Sequence, residues 1–210
     1  MTRNPRGGGA YVEFALSLPI LLGLMLGVIG LGLNMLLQMQ TVQLARDAGH
    51  MFARNIDFTL QGNQQLLSAI AGTLGLSNGS GSAGLTGSGA GTAVVILSEV
   101  KYVDSSVCSG CTNLGYWVFT NRIVVGNSAL RTSNVGTPPY TGVIAAADQT
   151  GTSSDRATIP TGANGFTPWN GANGSGLPSG QWIFVVEASA RGFHMPPFSS
   201  GTNTYSQLYF

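Results

Sequence analysis

From Phe14 to Leu37 the chain runs FALSLPILLGLMLGVIGLGLNMLL without one charged side chain, and this stretch limits everything that can follow it. At about 1.5 Å rise per residue, a helix of that length reaches roughly 36 Å, enough for a hydrocarbon core about 30 Å thick with some tilt. Lipid offers no partner to an open backbone amide, so helix is the expected conformation. Ser17 and Asn34 are its polar interruptions. Pro19 sits in the first turns, where a missing donor costs least. Gly23 and Gly27 form a G-x-x-x-G pair that, with Gly30 and Gly32, leaves room for another helix to approach closely.

A cleaved secretory signal and a retained anchor both fit an N-terminal apolar run. The apolar core here exceeds the usual ~7–15 residues of a signal peptide, and no small-x-small cleavage site follows it. The expectation is therefore an anchor. Arg3 and Arg6 precede the run and the next basic residue is Arg46, which leaves the N-terminus in the cytoplasm and the remainder outside. Glu13 stands at the membrane entrance. An acid costs about 2.5–3.5 kcal/mol if driven to the bilayer centre, whereas in a first helical turn at headgroup depth the helix dipole favours it.

The N-terminal order is Arg-Gly-Gly-Gly, then Ala-Tyr-Val-Glu-Phe, then an apolar run with an early proline. It resembles the class III signal of type IV pilin-like proteins, in particular the TadE/TadG-like minor pilins (pseudopilins) of the tight-adherence, or Flp, pilus system. The block ARDAGHMFARNID is similar to the Ala/Arg/Gly-rich segment after the anchor in that family, with His50 where arginine is common. The resemblance implies cleavage by a membrane prepilin peptidase between Gly8 and Gly9, with Glu13 as the fifth mature residue and Phe14 as the sixth. The glycine run also admits a cut after Gly9, which moves Glu13 to position four. It further implies residence in the bacterial inner membrane, other pilins or pseudopilins as partners through the helix, and a part in building a pilus or related secretion apparatus. Glu13 would pair with a neighbouring subunit's new N-terminal amine.

Residues 38 to 60 continue the helix past the membrane. Thr41, Ala45, Ala48, Phe52 and Ile56 make a mostly small apolar stripe, while Gln43, Asp47, His50 and Arg54 lie on another face. The expected fold class is α+β: a long transmembrane and amphipathic helix followed by a small antiparallel β-rich head with long loops. The division is a leader over 1–8, a helix over 9–60 (membrane part about 14–37), a Gly/Ser-rich linker over 61–91 and a β-rich domain over 92–210. The linker includes a short helix around Gln64 to Leu74, then a glycine- and serine-rich run that has no apolar face to bury. Strands are expected over 92–104, 116–126 and 181–193, with TYSQLYF at the end as a fourth. Between Ser128 and Gly180 lies a Gly/Pro/Ser/Thr-rich stretch, read as a surface excursion or a poorly ordered loop, with TGVIAAAD its one clear apolar segment.

Charge and motifs narrow the function. Nine Lys and Arg against eight Asp and Glu leave a net charge of +1, with no basic stripe for nucleic acid. The glycine-rich run has no GK[ST] after it, which argues against a phosphate-binding loop. His50 and His194 have no local carboxylate cluster, so neither a metal site nor a cofactor is expected. No GxSxG occurs. Glu99 and Glu187 fall on expected strands as a remote candidate carboxylate pair, and pairing with Lys101, Arg122 or Arg191 is the plainer reading. The chain is therefore not read as an enzyme. The sequence NGS at Asn78 and Asn173 is read as chance.

Cys108 and Cys111 are the two cysteines, spaced CxxC. A redox dithiol wants this motif at a helix start in a βαβ unit, and a four-thiolate zinc site needs a second pair. A structural disulfide needs only an oxidising compartment, which the expected topology supplies, and it is the reading adopted. A different class of function also fits: a permanently anchored binding or adhesion module, never polymerised, that recognises its target through loops near Tyr140, Trp169 and Trp182.

Overall fold

The computed structural model describes residues 9–77, 91–138, 141–157 and 182–210. Its organising element is α1, Gly9–Ala53, a continuous helix that passes through Pro19 without ending. The helix stops earlier than the expected residue 60. Asn55 takes a left-handed conformation (φ 61°), and the amide of Arg54 shares the carbonyls of His50 and Met51. Asparagine tolerates that conformation better than most residues, which makes it a common helix terminator.

A second helix, α2 (Gln61–Ala71), runs into a single 3-10 turn at Gly72–Leu74. The stretch 61–77, expected as part of a linker, is packed rather than loose. Leu67, Ala71, Leu74 and Leu76 join the main core, and buried Gln64 donates to Phe58 O at 2.8 Å. The rest of that stretch, 78–90 with Asn78, lies outside the described residues, as do Gly8, Tyr140, Trp169 and Asn173.

The head is an antiparallel sheet of β1 (Ala93–Val103), β2 (Tyr116–Gly126), β3 (Gly142–Val143), β4 (Trp182–Ala190) and, numbering past a small hairpin, β7 (Thr204–Tyr209). Their spatial order is β3-β2-β1-β4-β7. A separate two-stranded hairpin pairs β5 (His194–Met195) with β6 (Ser199–Ser200). The long strands fall where the sequence places them, because each is a β-branched or aromatic run bounded by turn residues; β4 alone ends clearly early, at Ala190 rather than 193.

One face of the sheet receives α1. Val95, Leu97, Ile123, Val125, Val186 and Ala188 meet Leu44, Ala45, Ala48 and Phe52. The small residues at 45 and 48 bring the helix backbone near the sheet, and the larger ones bury area worth about 1.5–3 kcal/mol each. The opposite face is covered by the 127–157 excursion. There Val135, Ile144 and Ala157 pack with Val100, Trp117, Phe119, Ile183 and Val185. An irregularity in the β1–β2 register makes this second core possible: Glu99 pairs with Asn121, but Val100 pairs with Phe119. The extra residue, Thr120, flips Phe119 and Trp117 to the face away from α1. The excursion also carries α3 (Ala146–Gly151). Of the two sequence readings for this stretch, surface excursion describes its 128–157 part.

Candidate functional site

Along its first half α1 is bare. Every described side chain from Tyr11 to Leu22 is exposed, with Tyr11 at 79 % and Phe14 at 61 %, and exposed apolar residues continue to Met39. Gly9 begins the helix and Glu13 lies on it, exposed. Ser17 returns its hydroxyl to Phe14 O at 3.1 Å, a bond within the helix that leaves its donor satisfied in lipid. Among the described residues, one helix is thus long and apolar enough to cross a membrane.

The second half is docked. Thr41, fully buried, bonds through Oγ1 to Thr204 Oγ1 at 2.7 Å, and Gln38 donates to Tyr205 O at 3.0 Å. The apolar stripe expected from sequence is the docked face: Thr41, Ala45, Ala48 and Phe52 are buried and Ile56 partly so. Gln43, Asp47, His50 and Arg54 are exposed. Toward the C-terminal end of this joint the helix has a glycine, Gly49, facing the Phe210 ring; a Cβ there would collide with that ring. The His50 ring meets Phe210 edge-on at 5.0 Å.

Between the two halves, two glycines of the apolar run face the protein's own head. A Cβ on Gly23 would meet nothing within 4 Å, but on Gly27 it would touch Phe198 at 3.6 Å and on Gly30 it would press on Met195 at 3.3 Å. Gly27 and Gly30 therefore seat the β5–β6 hairpin of the protein's own head. Asn34 fastens it. Its side chain donates to Ser199 Oγ at 2.8 Å and accepts from Phe193 N at 2.9 Å. In sequence Asn34 is only a polar interruption; an amide inside an apolar run is nevertheless a signal that a hydrogen-bond partner exists.

Glu99 and Glu187 do not come together. Glu99 lines a cleft of about 210 Å³ on the α1 side, with Phe52, Asn121 and Phe184, and burial raises its carboxyl above the ordinary value. Glu187 points to the opposite face, 1 % exposed, where it accepts from Asn134 N at 2.8 Å, Tyr205 OH at 2.7 Å and Ser133 Oγ. Arg122 donates to Ser98 Oγ at 2.6 Å and Gly136 O at 3.1 Å; its burial lowers it to about 10, against the opposing pull of Glu187. Burial and the bond to Glu187 hold the Tyr205 phenol well above its usual range. This network ties the excursion to the sheet and is structural. Among the described residues no group of three His, Cys, Asp or Glu could hold a metal.

Cys108 and Cys111 share the β1–β2 turn as free thiols, half-buried, with Cys111 Sγ directed at Cys108 O at 3.8 Å. The bond between the two thiols pushes Cys108 down and Cys111 up from the ordinary thiol value. Trp182 opens β4 and carries the Lys101 ammonium 5.0 Å over its ring.

Comparison with known proteins gives no match among curated proteins and none among solved structures. It gives one family match, and it falls on the helix: residues 8–50 of this chain match the family model described as TadE-like protein, as the N-terminal motif predicts.

Proposed function

We propose that this protein is a minor-pilin- or pseudopilin-like structural component for assembling a Tad/Flp-type pilus or a related secretion apparatus, and not an enzyme. One observation carries the reading. The TadE-like segment, residues 8–50, holds both the part of α1 whose apolar side chains project clear of the head and most of the part that is locked to the sheet. A helix built this way anchors in a bilayer and can pass into a bundle of like helices without wetting its apolar surface.

On this reading the N-terminus is cytoplasmic, the head is extracytoplasmic, and a prepilin peptidase cuts between Gly8 and Gly9. Glu13 then pairs with the amine of a neighbouring subunit, and Phe14 follows it into the bundle. Cys108 and Cys111 close a disulfide across the β1–β2 turn once outside the cytoplasm. The primary experiment is the intact mass of the protein from membranes containing the cognate peptidase. A mature start at Gly9 supports the pathway, and a start at Ala10 supports it with Glu13 at position four. An unprocessed chain refutes it in favour of a permanently anchored binding module. Replacement Glu13→Gln is expected to leave membrane insertion intact and to impair assembly; normal piliation in that variant would count against the pairing.

A further inference from the structure

The β5–β6 hairpin sits too far down α1 to lie outside the membrane that α1 crosses. With Glu13 at one face of a hydrocarbon core about 30 Å thick, and about 1.5 Å of rise per residue, the helix reaches the other face near Asn34. Phe198 rests on Gly27 and Met195 on Gly30. By the same rise those contacts lie about 6–10 Å inside the far face. A tilted helix moves them deeper rather than shallower.

The hairpin is made for that depth. Its turn is Met195-Pro196-Pro197-Phe198, with both prolines exposed. Prolines carry no N–H, and the Phe198 amide donates to Met195 O at 2.8 Å. The turn therefore presents no unpaired N–H between 196 and 198, which removes the donor half of the cost that lipid places on non-helical backbone. Polar groups lie further from the tip. Ser199 Oγ is held by Asn34 and by Phe193 O, His194 is exposed beside the turn, and Arg191 is exposed at the base, where side chains reach headgroups.

We propose that the β5–β6 hairpin is a lipid-inserting wedge: its Met195–Phe198 turn enters the acyl region of the outer leaflet alongside α1 and sets how deep the head rides on the membrane. The partner is the bilayer itself. This rests on the reading of α1 as a membrane anchor.

The test uses the full chain with Cys108 and Cys111 replaced by serine, reconstituted in phosphatidylethanolamine/phosphatidylglycerol vesicles. An environment-sensitive fluorophore is attached in turn at Pro196→Cys, at Ile20→Cys in the anchor and at Ser105→Cys in the distal β1–β2 turn. Lipids bearing a nitroxide near the headgroup quench from the bilayer, and iodide quenches from water. The wedge predicts that the label at 196 loses about half its emission to the lipid nitroxide and is shielded from iodide, as expected for a depth of about 5–10 Å, while the label at 105 shows the reverse. Quenching at 20 with a water-exposed label at 196 overturns the wedge and keeps the anchor. Absence of lipid quenching at 20 overturns both. A label at 196 shielded from both quenchers means protein covers the turn, which also overturns the lipid assignment. His194→Cys, labelled in the same way, guards against a local effect of replacing the proline.

Discussion

Gly49→Ala reports directly on how α1 is seated, because two effects of opposite sign meet there. In a helix interior alanine is favoured over glycine by about 0.8–1.0 kcal/mol. Against this, a Cβ at 49 would occupy space held by the Phe210 ring, so the ring must leave the joint. Expelling a large apolar side chain from such a site costs about 1.5–3 kcal/mol. The net expectation is a loss of about 0.5–2 kcal/mol, the difference of those two terms. Urea unfolding of the full chain in detergent, followed through buried Trp117, measures it. The decisive comparison is a double-mutant cycle. In a Phe210→Ala background the clash is gone, so Gly49→Ala should become stabilising by about the propensity difference, ~1 kcal/mol. If Gly49→Ala stabilises equally in both backgrounds, Phe210 does not occupy the helix joint and the close-approach argument is wrong.

Glu187→Gln should destabilise by about 2–4 kcal/mol, since it weakens three hydrogen bonds and removes the counter-charge that steadies buried Arg122; chemical denaturation reads this, and a cost below about 0.5 kcal/mol refutes it. Asp155 is fully buried and, among the described residues, its carboxylate oxygens have no hydrogen-bond partner, so burial raises its carboxyl. A raised acid contributes stability below its ordinary value of 3.8 and loses it as pH climbs through the folded value. Asp155→Asn should therefore raise the melting temperature at neutral pH, with the gain shrinking as the pH falls toward that ordinary value; a gain independent of pH would show that charge is not the cause. In the reduced protein, Cys108 should alkylate before Cys111 at neutral pH, as peptide mass mapping after brief iodoacetamide treatment would show, because the shared bond lowers the first thiol and raises the second.

Much of this protein is legible locally. The uncharged run from Phe14 to Leu37, the small apolar stripe at 41, 45, 48 and 52, and the β-branched strands each declare themselves through spacing alone, because helix and strand periodicity depend on near neighbours. The TadE-like segment is legible for the same reason: its motif is continuous. Asn55 is a helix terminator in plain view, but its left-handed turn competes with a helical pattern that continues past it to Ile56.

What spacing could not reach are contacts made across the chain. Gly27 and Gly30 look alike whether they receive a foreign helix or Met195 and Phe198, which lie at the far end of the sequence. Asn34 reads as a blemish until Ser199 and Phe193 arrive to bond it. Glu99 and Glu187 sit on neighbouring strands, but an odd separation in register puts them on opposite faces. One extra residue at Thr120 turns Phe119 and Trp117 to the second core. Sequence alone determined an apolar helix joined to an antiparallel head, because burial and backbone hydrogen bonding act residue by residue. Only the tertiary structure decided which face each strand shows and where the head grips the helix, because those depend on register and on pairs of residues that only folding brings together.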